Sequence, residues 1–292
     1  MTTTTADEDD RGPWHREAVD LVRAVSGGML FGIPLLYTME VWWIGSATQP
    51  ARMAGVLLLT FVPVFLLTRT AGFRSTKDIR WRDAAMDSVE TVALALLSVA
   101  VLLVLLREIT AATPLEEALG KVVYEATPFA IGSAIAQHVL RRGRAQADDD
   151  SSSSSADDDA LHATVKDVGA TVIGSLFVAF NVAPTDEVPM LAAAMPPAWL
   201  LGVMAASLVV SYCIVFVAGF SDQEHRRSQQ GVLQHPMTET VVSYLISLGT
   251  AAVMLWFFQR VSGQDPFDLT LAYVVVLGLP AAVGGAAGRL AT

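Results

Sequence analysis

The stretch LFGIPLLYTMEV at Leu30–Val41 has a counterpart 147 positions later, FVAFNVAPTDEV at Phe177–Val188, and this pair indicates an internal repeat. The same separation aligns the tripeptide Ala-Gly-Phe at 71–73 with Ala-Gly-Phe at 218–220. Small shifts align further segments: Glu90-Thr91-Val92 with Glu239-Thr240-Val241, Pro128 with Pro280, and Gly132 with Gly284. Each half also has four apolar runs of membrane length. The chain is therefore predicted to be a tandem duplication of a four-helix membrane unit.

The composition places the chain in a bilayer rather than in water. Of its 292 residues 53% are hydrophobic and the mean hydropathy is +0.48, which would expose more apolar surface than a soluble domain tolerates. The net charge of −10 does not indicate a basic partner, because residues 1–20 and 148–159 hold six each of the 29 acidic residues. The single cysteine, Cys213, excludes an intramolecular disulfide.

Hydropathy predicts eight membrane spans, all of them helices, because backbone groups in lipid must be satisfied within the chain and no alternating strand pattern occurs. Their approximate limits are 23–45, 52–69, 86–107, 119–140, 164–184, 194–218, 238–259 and 269–290. The fold class is therefore all-α. In chain order we expect a disordered acidic tail (1–20), the first four-span repeat (21–141), a disordered Ser/Asp linker (142–162) and the second four-span repeat (163–292).

Basic residues indicate the orientation of the spans. Only Arg52, Arg107, Lys121 and Arg260 fall on one side, and the other fifteen of the 19 Lys and Arg residues fall on the opposite side. Cytoplasmic loops are enriched in Lys and Arg, so both termini and the linker are predicted to be cytoplasmic, in a cell (inner) membrane. A four-span unit begins and ends on one face, so the two repeats are expected to be parallel.

Acidic side chains inside the predicted spans are the candidates for function, because a charge at the centre of a bilayer costs roughly 2.5–3.5 kcal/mol on insertion scales. The position of each residue along its span places several of them in one layer on the external side. This candidate site for a small cation or a proton contains Glu40, Glu125, Asn181, Asp186 and Glu187.

Two interpretations of this layer remain open. In the first, the carboxylates, together with backbone carbonyls freed by Pro34 and Pro184, supply the oxygen ligands that hard cations prefer. In the second, the acidic residues merely emerge into the lipid headgroups at helix ends, beside an aromatic belt formed by Trp42 and Trp43.

A second acidic group lies near the cytoplasmic ends of two spans and consists of Asp87, Glu90 and Glu239. A carboxylate in the first turn of a helix complements the helix dipole and needs no other role. The alternative is an inner vestibule that leads to the outer layer.

Small residues cluster in three predicted spans and favour close helix packing. They are Gly27, Gly28 and Gly32 in the first span, Gly132–Ala136 in the fourth and Gly284–Gly288 in the eighth.

Missing motifs narrow the range of functions. No haem, zinc or other cofactor is predicted, because the five histidines lie at or near the cytoplasmic side without pairing at membrane depth. The phosphate-binding loop, the zinc-protease motif and the nucleophile elbow do not occur, so the chain is not expected to be an enzyme. The Arg-rich segment 69–82 is interpreted as a topological and lipid-contacting loop, and no nucleic-acid partner is expected.

The segments Tyr37–Trp43, Ala71–Phe73 and Asn181–Glu187 carry a resemblance to a known family. Over nearly the whole membrane region the chain resembles a family of prokaryotic putative integral membrane proteins of unknown function. This resemblance implies a multi-pass membrane protein, and it brings no assigned activity, ligand or site.

The leading hypothesis is therefore a transporter or channel that moves a small cation or protons through the external layer of carboxylates. The alternative is a non-transporting membrane sensor or assembly module that acts through its cytoplasmic loops. Flux across a liposome membrane distinguishes the two. The lipid bilayer is the expected partner, and the sequence leaves open both the transported species and whether the chain forms a homo-oligomer.

Overall fold

The computed structural model describes residues 13–70, 81–146, 159–218 and 236–290, and in these ranges the chain is helical throughout its regular elements. The helices are α1 (Pro13–Gly32), α2 (Met39–Ser46), α3 (Pro50–Thr70), α4 (Trp81–Leu105), α5 (Leu115–Gln146), α6 (Asp159–Val182), α7 (Glu187–Ala194), α8 (Pro197–Tyr212), α9 (Pro236–Phe257) and α10 (Phe267–Leu290). A 3₁₀ turn at Leu35–Tyr37 precedes α2, and α8 continues as a π-helix over Cys213–Val217. The aligned tripeptides except Ala218, most of the predicted linker and the start of the acidic tail lie outside the described residues.

Five of the described helices are long and apolar enough to cross a membrane: α3, α4, α8 with its π-helical extension, α9 and α10. The bent pair α6 and α7 makes a sixth if it is taken as one broken span. The other two predicted spans fall on α1 with α2, which are separated by a break, and on α5, whose first turns carry Glu116, Glu117, Lys121 and Glu125. Length and composition alone therefore support a multi-pass helical protein with fewer clear spans than the predicted eight.

The prediction of one continuous helix over 23–45 is wrong. Helix α1 ends at Gly32 and α2 starts only at Met39. Pro34 lies in this gap, where its missing N–H and its ring prevent a regular helix from continuing. The predicted span 164–184 corresponds to α6, and after Pro184 the chain turns by 89° into the short helix α7. Both stretches that align in sequence thus form a break followed by an eight-residue helix.

Each half packs around one long helix with the same order of neighbours. In the first half α5 contacts α1, α2, α3 and α4, and in the second half α10 contacts α6, α7, α8 and α9. Glycines set the distance between the paired helices. A Cβ on Gly132 would lie 2.7 Å from the Cβ of Phe31, and a Cβ on Gly174 would lie 2.9 Å from the backbone nitrogen of Gly288. The predicted role of the small residues in close packing is confirmed.

Helices α4 and α9 occupy equivalent positions in the two halves, and their equivalent residues are 152 positions apart. This separation changes the sequence alignment of Glu90 with Glu239. Buried positions pair at this separation: Ser88 with Thr240, Thr91 with Ser243, and Val99 with Ala251. Both helices also end before a residue with positive φ, Arg107 at 63° and Gln259 at 58°. The counterpart of Glu239 is therefore Asp87, and the alignment of Glu239 with Glu90 was three residues out of register.

The two halves meet along α1. The Nε atom of Arg23 donates a hydrogen bond to the backbone oxygen of Ala218 at 2.8 Å. Deeper in the protein, the hydroxyl of Tyr37 donates to the backbone oxygen of Val276 at 2.8 Å. That carbonyl lacks its usual helical donor, because the residue four positions later is Pro280. Tyr37 thus satisfies a backbone group that the proline leaves open in the other half.

Candidate functional site

Glu125 is the most deeply buried of the predicted site residues. It lies on α5, it is 1% exposed, and neither of its carboxylate oxygens has a hydrogen-bond partner in the described part of the chain. The indole N–H of Trp42 on α2 interacts with this carboxyl, yet it falls short of hydrogen-bond geometry. Buried polar side chains are nearly always hydrogen-bonded, so an unpartnered carboxyl in the interior calls for a functional explanation.

Helix α2 covers the part of α5 that carries Glu125. Gly45, one turn after Trp42 on α2, packs on the α5 backbone so closely that an added Cβ would lie 2.8 Å from both the Cα and the nitrogen of Lys121. Gly120 makes the reciprocal contact with the backbone of Gly45. The two glycines therefore hold Trp42 against Glu125, so that α2 covers the carboxyl on this side.

Lys121 lies one helical turn before Glu125 on the same face of α5, toward the N-terminus of that helix. It is 7% exposed, and its Nζ atom is 3.0 Å from Glu117 Oε1 and 3.3 Å from Glu108 Oε2. It also donates a hydrogen bond to the backbone oxygen of Glu108 at 3.1 Å. Burial raises the pKa of Glu108, which lies in the loop after α4, and the Lys121 ammonium opposes this shift in part.

Glu187 joins the two broken segments of the halves. It is buried at the first position of α7, and its Oε1 accepts a hydrogen bond from the backbone N–H of Met39 at 3.1 Å. Met39 is the first residue of α2, so its N–H is one of the donors that a helix cannot satisfy internally. The Glu187 carboxylate therefore completes the N-terminus of α2 and fixes the helix that covers Glu125.

The other three predicted residues of the external layer do not join Glu125. Glu40 is exposed. Asp186 forms an ion pair with Arg260 at 2.8 Å. Asn181 donates to the backbone oxygen of Phe177 on its own helix at 2.7 Å. In the described ranges no three His, Cys, Asp or Glu side chains form a group that could hold a metal ion.

The predicted inner residues separate in a similar way. Asp87 and Glu90 are exposed on α4. Glu239 forms an ion pair with Arg289, whose guanidinium is fully buried, donates to Ser243 Oγ at 3.1 Å and lies 5.7 Å from the ring centroid of Phe216. Glu239 thus has a specific partner in addition to its position in the first turn of α9.

Sequence reasoning missed the partners of Lys121, which we counted only as an external basic residue. The signal was present, because Glu117, Lys121 and Glu125 follow one another at intervals of four and so lie along one face of a helix. The contribution of Glu108 could not be read from spacing, because it depends on how the loop after α4 folds back.

Comparison with known proteins gives one match. The family described as "Putative integral membrane protein (DUF2391)" matches residues 20–292. No curated protein and no solved structure matches the chain.

Proposed function

The chain belongs to the DUF2391 family of putative integral membrane proteins, and on that premise we propose that it moves protons or a small cation across the membrane, as a transporter or channel, through the buried carboxyl of Glu125. The observation that carries the proposal is the burial of this carboxyl: it is 1% exposed, and neither oxygen has a hydrogen bond of regular geometry in the described residues, although the indole N–H of Trp42 lies beside it.

Energetics favour an ion at this position. An ionised carboxylate without hydrogen bonds costs several kcal/mol in an apolar interior, so a carboxyl of this kind needs a proton, a cation or access to water. A structural acid would instead have a fixed partner, as Glu239 and Asp186 do. Carboxyl groups that exchange a bound ion are the usual reason for an acidic side chain within a membrane span.

The other half of the chain offers no second carboxyl of this kind. Leu277 occupies the position on α10 that corresponds to Glu125 at the separation of 152 residues, and it is fully buried. The proposal therefore has one ion site for each chain. Glu187 serves that site indirectly, because it holds the N-terminus of α2 in place.

The membrane topology is part of the same proposal. Eight spans in two parallel four-helix repeats, with both termini on the cytoplasmic side of the inner membrane, place the end of α4 and the start of α8 on the external side. The contacts support this arrangement. The Trp199 Nε1 at the start of α8 donates to the Leu105 oxygen at the end of α4 at 2.7 Å, and the Arg107 guanidinium lies 5.4 Å from the Trp199 ring centroid.

Proton flux into liposomes tests the function. Purified wild-type protein would be reconstituted with a pH-sensitive dye inside, and a potassium gradient with valinomycin would set the membrane potential. Glu125→Gln keeps the size of the side chain and removes its titrating group. The matched control is Glu116→Gln, which makes the same change at an exposed position two and a half turns away on the same helix.

We expect wild type and Glu116→Gln to acidify the lumen at the same rate, and Glu125→Gln to fall to the rate of empty liposomes. Repeating the measurement with a dye for sodium and a sodium gradient, or with a dye for potassium and a potassium gradient without valinomycin, identifies a cation as the transported ion. Equal flux in Glu125→Gln and wild type would refute the role of Glu125. No flux of any of these ions through wild-type protein would favour the sensor or assembly module.

A further inference from the structure

We propose that the ammonium of Lys121 replaces the transported ion at Glu125 whenever that ion leaves. While the ion is bound, the ammonium pairs with the Glu108 and Glu117 carboxylates, and when the ion leaves, it pairs with the Glu125 carboxylate. This inference rests on the proposed function and adds a residue that determines how the site is emptied and which ions it accepts.

The carboxyl groups around Lys121 outnumber its single ammonium. Its ammonium is the one buried cation beside three carboxyl groups of the described chain: Glu108, Glu117 and, one turn inward, Glu125. Two neighbouring helices add no competing buried charge, because Glu40 on α2 and Arg52 on α3 are both exposed. One ammonium for three carboxylates leaves the group with excess negative charge, and while Lys121 pairs with Glu108 and Glu117 the Glu125 carboxylate has no cation beside it.

Geometry allows the ammonium to reach either side. Residues four apart on a helix have Cβ atoms about 5–6 Å apart, so Glu117 and Glu125 lie at similar distances from the base of Lys121. A lysine side chain has four methylene groups and several rotatable bonds, and it moves as a point charge. Gly45 and Gly120 hold the two backbones in close contact at this position, so the proposed exchange is a movement of the Lys121 side chain alone.

The observed pairing of Lys121 with Glu108 and Glu117 is the arrangement expected when Glu125 carries no net charge or is paired with another cation. Helical side chains lean toward the N-terminus, which favours the pair of Lys121 with Glu117 over the pair with Glu125. When the ion leaves, the charge left on Glu125 without a partner costs several kcal/mol, and this outweighs the difference of a few tenths of a kcal/mol between the two helical pairs. Lys121 then turns inward.

Chemical cross-linking of wild-type protein in liposomes tests the exchange without any substitution. Dicyclohexylcarbodiimide, which enters membranes, activates a carboxyl group; a neighbouring lysine amine then displaces the activating group as a urea and forms an amide. Mass spectrometry of the digested chain locates each amide. We expect amides of Lys121 with Glu108, with Glu117 and also with Glu125, and less of the Glu125 product when the ion identified by the flux assay is in excess. Amides with Glu108 and Glu117 but none with Glu125 would overturn the inference.

Transport kinetics supply a second, independent test. In Lys121→Gln the ion is no longer displaced, so we expect both the maximal flux and the half-saturating ion concentration to fall, each by about tenfold or more, the equivalent of losing about 1.4 kcal/mol. Lys121→Arg keeps the charge and should restore most of the flux, and Arg52→Gln, which removes an exposed external charge, should leave it unchanged.

The outcomes separate this inference from the proposed function. A purely structural Lys121 would lower the maximal flux without changing the half-saturating concentration, and that result would overturn the inference. If Glu125→Gln abolishes flux while Lys121→Gln behaves as wild type, the ion site stands and only the role of Lys121 is refuted. If Glu125→Gln leaves flux intact, the proposed function itself is refuted.

Discussion

Replacing Gly45 by alanine should damage both the packing of α2 and the site beneath it. The added Cβ would lie 2.8 Å from the Cα and nitrogen of Lys121 and 2.9 Å from the carbonyl carbon of Gly120. All three are backbone atoms of α5, so no side chain can move aside, and α2 must shift outward to reach an ordinary contact distance. That shift withdraws Trp42 from Glu125, because both Trp42 and Gly45 belong to this short helix.

Two opposing contributions set the change in the free energy of unfolding. Overpacking of a well-packed interior costs about 1–3 kcal/mol, whereas alanine gains up to about 1 kcal/mol over glycine as a helix former. The net expectation for Gly45→Ala is a loss of about 0–2 kcal/mol. The control is Gly249→Ala in the middle of α9, where a Cβ would meet nothing within 4 Å. It keeps only the gain in helix propensity, so it should stabilise by about 0.5–1 kcal/mol.

Thermal unfolding of the two purified variants in the same detergent checks this. Gly45→Ala should unfold at a lower temperature than Gly249→Ala, with wild type between them or level with Gly45→Ala. The site should respond as well, with a lower flux in Gly45→Ala and an unchanged flux in Gly249→Ala. Equal stabilisation by both substitutions would refute the close contact of α2 with α5.

Three further predictions concern single side chains. Burial raises the pKa of Glu108, so the charged form of this side chain is disfavoured in the folded state. Its contribution to the stability of the fold is therefore lost as the pH rises through the raised pKa. Glu108→Gln should unfold at a higher temperature than wild type at pH 8, and this difference should shrink as the pH is lowered toward 4. Glu187→Ala removes the acceptor for the first N–H of α2 and should cost about 1–2 kcal/mol in chemical unfolding, against less than about 0.5 kcal/mol for the exposed Glu40→Ala. Tyr37→Phe leaves the Val276 carbonyl without a donor and should cost about 1–3 kcal/mol by the same measurement; no loss would mean that water replaces the hydroxyl.

The helical class, the close packing at glycines and the correspondence of the two aligned stretches could be predicted, because they depend on composition and on positions close in sequence. The end of the helix at Gly32 could not be placed from hydropathy, because an average over a window is insensitive to a single proline. The backbone is sensitive to it, since Pro34 lacks the N–H that a regular helix requires. The error of three residues between α4 and α9 has a simple origin. A shift of three residues returns a helical position to nearly the same face, so it preserves the apolar pattern.

Of the predicted layer of acidic residues, the structure buries Glu125 and Glu187, and it does not bring the other members to Glu125. Depth along a span places residues at one level, but it does not say which way each side chain points around the helix axis. Asp186 points to Arg260, and Glu40 is exposed, although both lie beside the breaks. Lys121 shows the converse, because its role depends on a loop carboxylate that no periodic pattern brings near.

If the buried Glu125 carboxyl binds the ion, the stability of the folded protein must depend on that ion. The measurement is the unfolding temperature of purified protein as a function of pH and of the concentration of each cation. An ion that binds only the folded state stabilises it by about 2.7 kcal/mol at a concentration of 100 times Kd. We expect wild type and Glu116→Gln to gain this stability with one ion or with protons, and Glu125→Gln to lack this gain while keeping the pH dependence that Glu108 contributes. An identical ion-dependent gain in Glu125→Gln, or no dependence of wild type on any ion or on pH, would contradict the claim.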